Sequence, residues 1–246
     1  MGTVSIMGVN NEIGSIQPIQ EISAILEDYP NVTFHVDNVQ ALGKNVWDKV
    51  FTPRVDLMSL SSHKFHAPRG VGILYKKEGK MIDPLVDGGG QEKGLRSSTE
   101  NLAGIAATAK AMRLYLEDEK QNAKKEATVK TKIIDYLKDK PGLHIFSPMN
   151  DNFVPSILCF GMEGIRGETL VHTLESKDIF VSTTSACSSR SGVESGTLNS
   201  MKVPDDIATG AIRLSFDPSN SVEEADHFIE VFDKIYKHFA EINHLK

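Results

Sequence analysis

Val55-Asp-Leu-Met-Ser-Leu-Ser-Ser-His-Lys64 reads as a short apolar strand that ends in serine, serine and histidine and then presents one lysine. Open α/β sheets bind their ligands just beyond the carboxyl ends of strands, so a lysine placed there sits where chemistry is done. A partly desolvated amine in that position can lose its proton and attack a carbonyl to give a Schiff base. Upstream, Val32-Thr-Phe-His-Val-Asp37 is a second strand of the same kind, closed by an acid. A lysine and an aspartate at neighbouring strand ends supply what pyridoxal phosphate requires: an amine for its aldehyde and an anion for its pyridinium nitrogen. The pairing alone is weakly specific, because lysine and aspartate end many strands.

Working outward from these two strands, the first half of the chain alternates in the α/β manner. Thr3–Met7 reads as a strand, and Ile19, Ile22, Ile25 and Leu26 put an apolar stripe on a helix. A further strand is expected at Val71–Tyr75, after the turn-forming His66-Ala-Pro-Arg-Gly70. Leu102, Ile105, Ala106, Ala109, Met112 and Leu116 recur at helical spacing. After Glu117 the charge density rises, which suggests a solvated helix or hinge and places a domain boundary there, giving domains 1–118 and 119–246. The second reads as a smaller α+β unit with strands at Ser156–Phe160, Ile179–Ser182 and Ala211–Ser215 and a helix at Glu168–Glu175. Ser221-Val-Glu-Glu224 is a capping box opening a last helix with Ala225, Phe228, Ile229, Phe232, Ile235, Tyr236 and Phe239 on one face. The Ser/Thr/Gly-rich segment Ser182–Ser200 reads as a loop.

Composition removes several classes of function. With 27 Lys and Arg against 33 Asp and Glu, the formal charge of −6 over 246 residues argues against a direct nucleic-acid footprint. No apolar run approaches a membrane span, and the amino terminus lacks the basic-then-apolar pattern of a signal peptide. Two cysteines, Cys159 and Cys187, make neither a disulfide framework nor a metal site, and a cytoplasmic setting fits best.

Four stretches around the lysine carry a resemblance: Val9-Asn-Asn-Glu-Ile-Gly14, His35-Val-Asp-Asn-Val-Gln40, Ser61-Ser-His-Lys64 and Gly88-Gly-Gly-Gln-Glu-Lys-Gly-Leu-Arg-Ser-Ser-Thr-Glu-Asn101. A fifth is Ser182-Thr-Thr-Ser-Ala-Cys-Ser-Ser189. Together they resemble the cysteine desulfurases, fold-type-I pyridoxal-phosphate enzymes that take sulfur from L-cysteine. The fold implied is α/β: the carboxyl-terminal part of a large domain with a mostly parallel sheet, plus a smaller α+β domain. The resemblance implies that Lys64 holds the cofactor and moves protons at the substrate's α-carbon. It implies that Asp37 faces the pyridine nitrogen, Gln40 the phenolic oxygen, and Ser61 and His63 the phosphate. Asn11 is implied near cofactor and substrate, Thr99 at the phosphate of a dimer partner's cofactor, and Arg213 at the substrate carboxylate. Cys187 is implied to take the sulfur as a persulfide and pass it to an acceptor protein, either an iron–sulfur scaffold or a tRNA- or thiamin-thiolation enzyme. The resemblance also implies a homodimer.

Each residue also has a plainer reading. Asp37 could cap a following helix, Asn11 with Gly14 could simply turn the chain, and Arg213 could sit in a structural ion pair. Composition alone leaves Cys187 even between a working thiol and an exposed one, whereas Cys159 in Ile157-Leu-Cys-Phe160 reads as buried and inert. Ser98 stands where the resembled family usually has glycine, so a left-handed backbone there would be strained. The resemblance also implies more chain ahead of Val9, with a phosphate-cradling loop and a ring-stacking histidine. The chain is therefore expected to be a carboxyl-terminal portion, poorly active by itself. A non-catalytic remnant serving protein interaction, or a selenocysteine lyase, are the alternative readings.

Overall fold

Alternating apolar residues in Val32–Asp37 and Val55–Ser61 dictate strands with one buried face, and the computed structural model, which describes residues 2–184 and 196–243, contains them. The elements in order are β1 (Thr3–Met7), α1 (Ile19–Glu27), β2 (Thr33–Asp37), α2 (Trp47–Val50), β3 (Leu57–Ser61), β4 (Gly72–Lys76), α3 (Leu102–Glu117) and α4 (Glu119–Leu137). They continue with β5 (Leu143–Ile145), β6 (Ile157–Met162), α5 (Gly167–Glu175), β7 (Ser182–Thr183), α6 (Gly196–Ser200), α7 (Asp205–Ala208), β8 (Ala211–Ser215) and α8 (Val222–Ile242). Two compact units result: Met1–Val9 with Gln17–Glu119, and Asn10–Ile16 with Lys120–Lys246. The segment Asn10–Ile16 thus clusters with the second unit, although 1–118 was expected to form one domain.

The first unit is a sheet of order β1-β2-β3-β4, parallel through β3 and antiparallel at β4. Phe34, Val36, Met58 and Leu60 are buried on one face, while His35, Ser59 and Ser61 are half-buried and Asp37 is exposed on the other. Leu42, Leu60, Phe65 and Tyr115 form one cluster of its core. Gly43, at φ +72°, is required where the Tyr115 ring crosses, since a Cβ there would lie 2.0 Å from that ring.

In helix α3 Met112 of the helically spaced apolar set packs against the core, but Leu102, Ile105 and Leu116 do not. They are 76, 40 and 40 % exposed, whereas Gly104, Thr108 and Tyr115 are buried. Gly104 explains the choice: a Cβ there would meet the Val71 side chain at 2.8 Å, so the helix approaches closely on its small-residue side.

The second unit holds an antiparallel sheet of order β5-β6-β8-β7. Leu158, Phe160, Met162, Ile212 and Leu214 pack with Val129, Ile133 and Leu137 of α4, Leu170 and Leu174 of α5, and Phe228 and Phe232 of α8. The capping box of α8 forms as its sequence predicts: Glu224 N–H donates to Ser221 Oγ at 3.2 Å, and Ser221 N–H to Glu224 Oε2 at 2.9 Å. Of the strand expected at Ile179–Ser182 only Ser182 is paired, because β7 runs from Ser182 to Thr183 and Ile179 and Phe180 precede its ladder with β8. Gly196–Ser200, expected within a loop, is a short helix.

A buried ion pair joins the strands that carry the candidate site. Arg54 donates through Nη1 to Asp56 Oδ2 at 2.9 Å and through its other nitrogens to the carbonyls of Leu26, Tyr29 and Val32. Asp56 also accepts the Phe34 N–H at 2.8 Å, which binds the start of β2 to the approach to β3. Burial alone would raise the Asp56 pKa, but the Phe34 N–H, Arg54 and Lys80 outweigh it and hold it below the usual carboxylate value. The carboxylate therefore contributes stability that is complete above its unfolded pKa and is lost as pH falls through the depressed folded one. Asp56→Ala strands the buried guanidinium and is expected to cost about 3–5 kcal/mol in a denaturant melt. Loss of less than about 1 kcal/mol would show that the pair is incidental.

Candidate active site

Parallel pairing decides which side chains meet. In the β2–β3 ladder Asp37 lies opposite Ser59, so both strands deliver their carboxyl ends to one edge of the sheet. Neighbouring strands run about 4.8 Å apart. Ser61 closes β3, and a 3₁₀ turn at Ser62–Phe65 follows at once. That turn alternates burial and exposure: Ser62 and Phe65 are buried, His63 and Lys64 are exposed. Ser62 Oγ lies 2.8 Å from the Pro68 carbonyl and 2.6 Å from that of Val71, Phe65 enters the core, and His66 closes the turn at φ +67°. Lys64 is thereby presented to solvent on a segment anchored on both sides.

Asp37 is exposed, and its Oδ1 accepts the Val39 N–H at 3.0 Å. The helix-cap reading does not hold, since turns occupy the residues up to α2. Gln40 is half-buried within those turns. The structure thus brings Asp37, Ser61, His63 and Lys64 to one edge, with Gln40 three residues beyond Asp37. Exposed amine and carboxylate at adjacent strand ends fit the aldehyde and ring nitrogen of pyridoxal phosphate.

Thr99 is exposed at the end of a loop held by Ser97, whose Oγ donates to the Gly89 carbonyl at 3.0 Å. Ser98 adopts φ +108°, the glycine-favouring geometry in which its side chain is strained. Asn101 then caps α3 by accepting the Gly104 N–H at 3.0 Å.

In the second unit the turn at Asn10–Ile13 is made by Asn10, not Asn11. Asn10 Oδ1 accepts the N–H groups of Glu12 and Ile13 at 2.8 and 2.9 Å. The Asn11 carbonyl accepts Arg213 Nη1 at 2.8 Å. Arg213 Nε is buried with no hydrogen-bond partner among the described residues, and none of the ion pairs identified between described residues involves its guanidinium. An orphaned buried guanidinium donor is costly unless an anion meets it, which suits a ligand carboxylate. Cys187 lies outside the described residues.

The chain matches the model of the aminotransferase class-V family over residues 1–228. The chain belongs to that family. It is 69 % identical over 242 residues to a NifS/IcsS protein homolog of Lactobacillus delbrueckii subsp. bulgaricus, covering 98 % of this chain and 63 % of that protein. It is 41 % identical over 244 residues to a cysteine desulfurase IscS of Clostridium botulinum, covering 98 and 61 % respectively. Among solved structures, a NifS-like protein superposes with a TM-score of 0.85 at 38 % identity, covering 96 % of this chain and 61 % of that one. A NifS-like protein from Rickettsia africae gives 0.84 at 30 % identity, covering 96 and 62 %. This class-V chain therefore has their α/β fold and spans about 60 % of the length of these relatives.

Sequence reasoning missed Ser62 and Phe65, the anchors of the lysine turn. Their signal was present in the alternation of buried and exposed types, but a run so short is indistinguishable from a strand end. Cys159 is fully buried in β6, where burial, with Glu12 adding to it and Arg213 opposing, pushes its thiol up to about 12. In the native chain at neutral pH, Cys159 should resist iodoacetamide and become alkylated only after denaturation. Rapid native alkylation of Cys159 would contradict the burial.

Proposed function

We propose that this class-V chain carries the cofactor- and substrate-contacting residues of a pyridoxal-phosphate-dependent cysteine desulfurase. The observation that carries the reading is Lys64 and Asp37, both exposed, at the ends of adjacent parallel strands. The similarity to proteins named as cysteine desulfurases supports the choice of reaction within the family. When bound, the cofactor supplies an electron sink for the substrate's α-carbon.

The chain's own residues do the rest. Lys64 Nζ would hold the cofactor's aldehyde carbon, and as a free amine it would take and return a proton at the substrate's α-carbon. Asp37 keeps the ring nitrogen protonated, and Gln40 donates to the phenolic oxygen. Ser61, His63 and Thr99 bind the phosphate, Thr99 across a homodimer. Arg213 clamps the carboxylate of L-cysteine beside Asn11, its free Nε–H finding the anion it lacks. The Cys187 thiolate attacks the substrate sulfur; the carbon–sulfur bond breaks, the carbon regains a proton, and L-alanine leaves with a persulfide on Cys187. A sulfur-acceptor protein in the cytoplasm then takes the outer sulfur, serving iron–sulfur assembly or thiolation.

Incubation with pyridoxal phosphate, borohydride reduction and peptide mapping should place the pyridoxyl group on Lys64 and lose it in Lys64→Ala. Label scattered over surface lysines would refute the assignment. After L-cysteine is added to the cofactor-loaded chain, persulfide should be found by mass spectrometry on Cys187 and be absent in Cys187→Ser, with Cys159→Ser unaffected. Sulfane sulfur on Cys159 instead would overturn the proposed role of Cys187.

A further inference from the structure

The open face of the first sheet carries a hydrogen-bonded row that the proposed chemistry leaves unused. Side chains alternate along a strand, so His35 and Asp37 lie on the same face of β2. Ser5 on β1 is the register partner of His35, and Ser59 on β3 is that of Asp37. Ser5 Oγ lies 2.7 Å from His35 Nδ1, and Ser59 Oγ lies 2.8 Å from His35 Nε2. One imidazole therefore spans three strands. A neutral ring offers one donor and one acceptor, and a serine hydroxyl can serve as either, so the row is satisfied in both tautomers.

Its position is what gives it consequence. The β2–β3 ladder ends at the pair Asp37–Ser59, and the β1–β2 ladder at Met7–Asp37. Beyond these, Gly8 N–H donates to the Asp37 carbonyl at 2.7 Å and Asn38 N–H to the Ser59 carbonyl at 3.0 Å. Those single bonds hold the ends from which Asp37 and the Lys64 turn emerge. Strand ends fray first, because their last bonds are exposed and few contacts back them. The His35 row crosses the sheet two residues before the end of β2.

We propose that His35 is a positioning residue: by bridging Ser5 and Ser59 it fixes the lateral spacing of the three strand ends, so that Asp37 and Lys64 face one ring at a constant separation. A histidine that merely keeps an open sheet face polar would bond water and leave the neighbouring strands uncoupled. Both ring nitrogens engaging serines of different strands separates the two cases. The inference rests on the cofactor site proposed above only for its consequence, since the clamp itself is a property of the sheet.

The test uses the full chain and two readouts. Amide hydrogen exchange in His35→Ala should quicken about tenfold at Gly8 and Asn38, the scale of losing about one hydrogen bond's worth of local protection. The Phe34 amide, bonded to Asp56 at the opposite end of β2, should keep its protection. Borohydride-trapped pyridoxyl on Lys64 should fall several-fold at a subsaturating cofactor concentration, and Ser59→Ala added to His35→Ala should lower it no further. Unchanged exchange at Gly8 and Asn38 would overturn the inference. So would equal quickening at Phe34 and throughout the sheet, which marks a purely global loss of stability. If the unmodified chain forms no Lys64 adduct, the cofactor reading fails, and the exchange pattern alone still decides for or against the clamp.

Discussion

The parallel ladder between β2 and β3 is the constraint on which the rest depends. Its register sets Asp37 opposite Ser59 and thereby sends an acid and, five residues beyond Ser59, a lysine to one edge of the sheet. A slip of one residue would turn Asp37 into the core and Phe34 or Val36 to the open face. Two features resist that slip. Phe34 and Val36 are fully buried on one side, and the Arg54–Asp56 pair pins the backbone of β2 to the approach to β3. The candidate site is thus a consequence of strand packing more than of any contact among its own residues.

The two units divide the chemistry. The first presents groups suited to a cofactor: Lys64, Asp37, Gln40, Ser61 and His63. The second presents a guanidinium whose buried Nε lacks a partner, with the Asn11 carbonyl on its Nη1. Asn10 shapes the turn that sets Asn11 in place, so two adjacent asparagines take different tasks. Ser98 at φ +108° holds a backbone geometry that costs a serine more than it would cost glycine.

Much of this was legible in the sequence where the physical signal was local. The strands around Phe34 and Leu60 followed from alternation, and the last helix from a capping box whose two bonds both form. Strain at Ser98 was implied only through the resemblance, in which glycine is usual there, and the structure gives the positive φ on which it depends. Tertiary choices were not legible. Leu102, Ile105 and Leu116 repeat at helical spacing as a core stripe does, yet α3 packs through Gly104 and Tyr115, because closeness of approach outweighed apolar periodicity. Asp37 reads like a helix cap, and only the turns that follow it exclude that role. His35 gave no signal, since one histidine in a strand says nothing of the serines beside it until the register is known.

The central claim is that Asp37 and Lys64 act on one bound molecule, and a double-mutant cycle on cofactor affinity tests it most directly. Pyridoxal phosphate binding would be measured by equilibrium dialysis for the unmodified chain, Asp37→Ala, Lys64→Ala and the double variant. The account predicts that each single change weakens binding and that the double change costs less than the sum, with a coupling above about 0.5 kcal/mol. Strictly additive losses, or single variants that bind as well as the parent chain, would show that the two residues do not share a ligand.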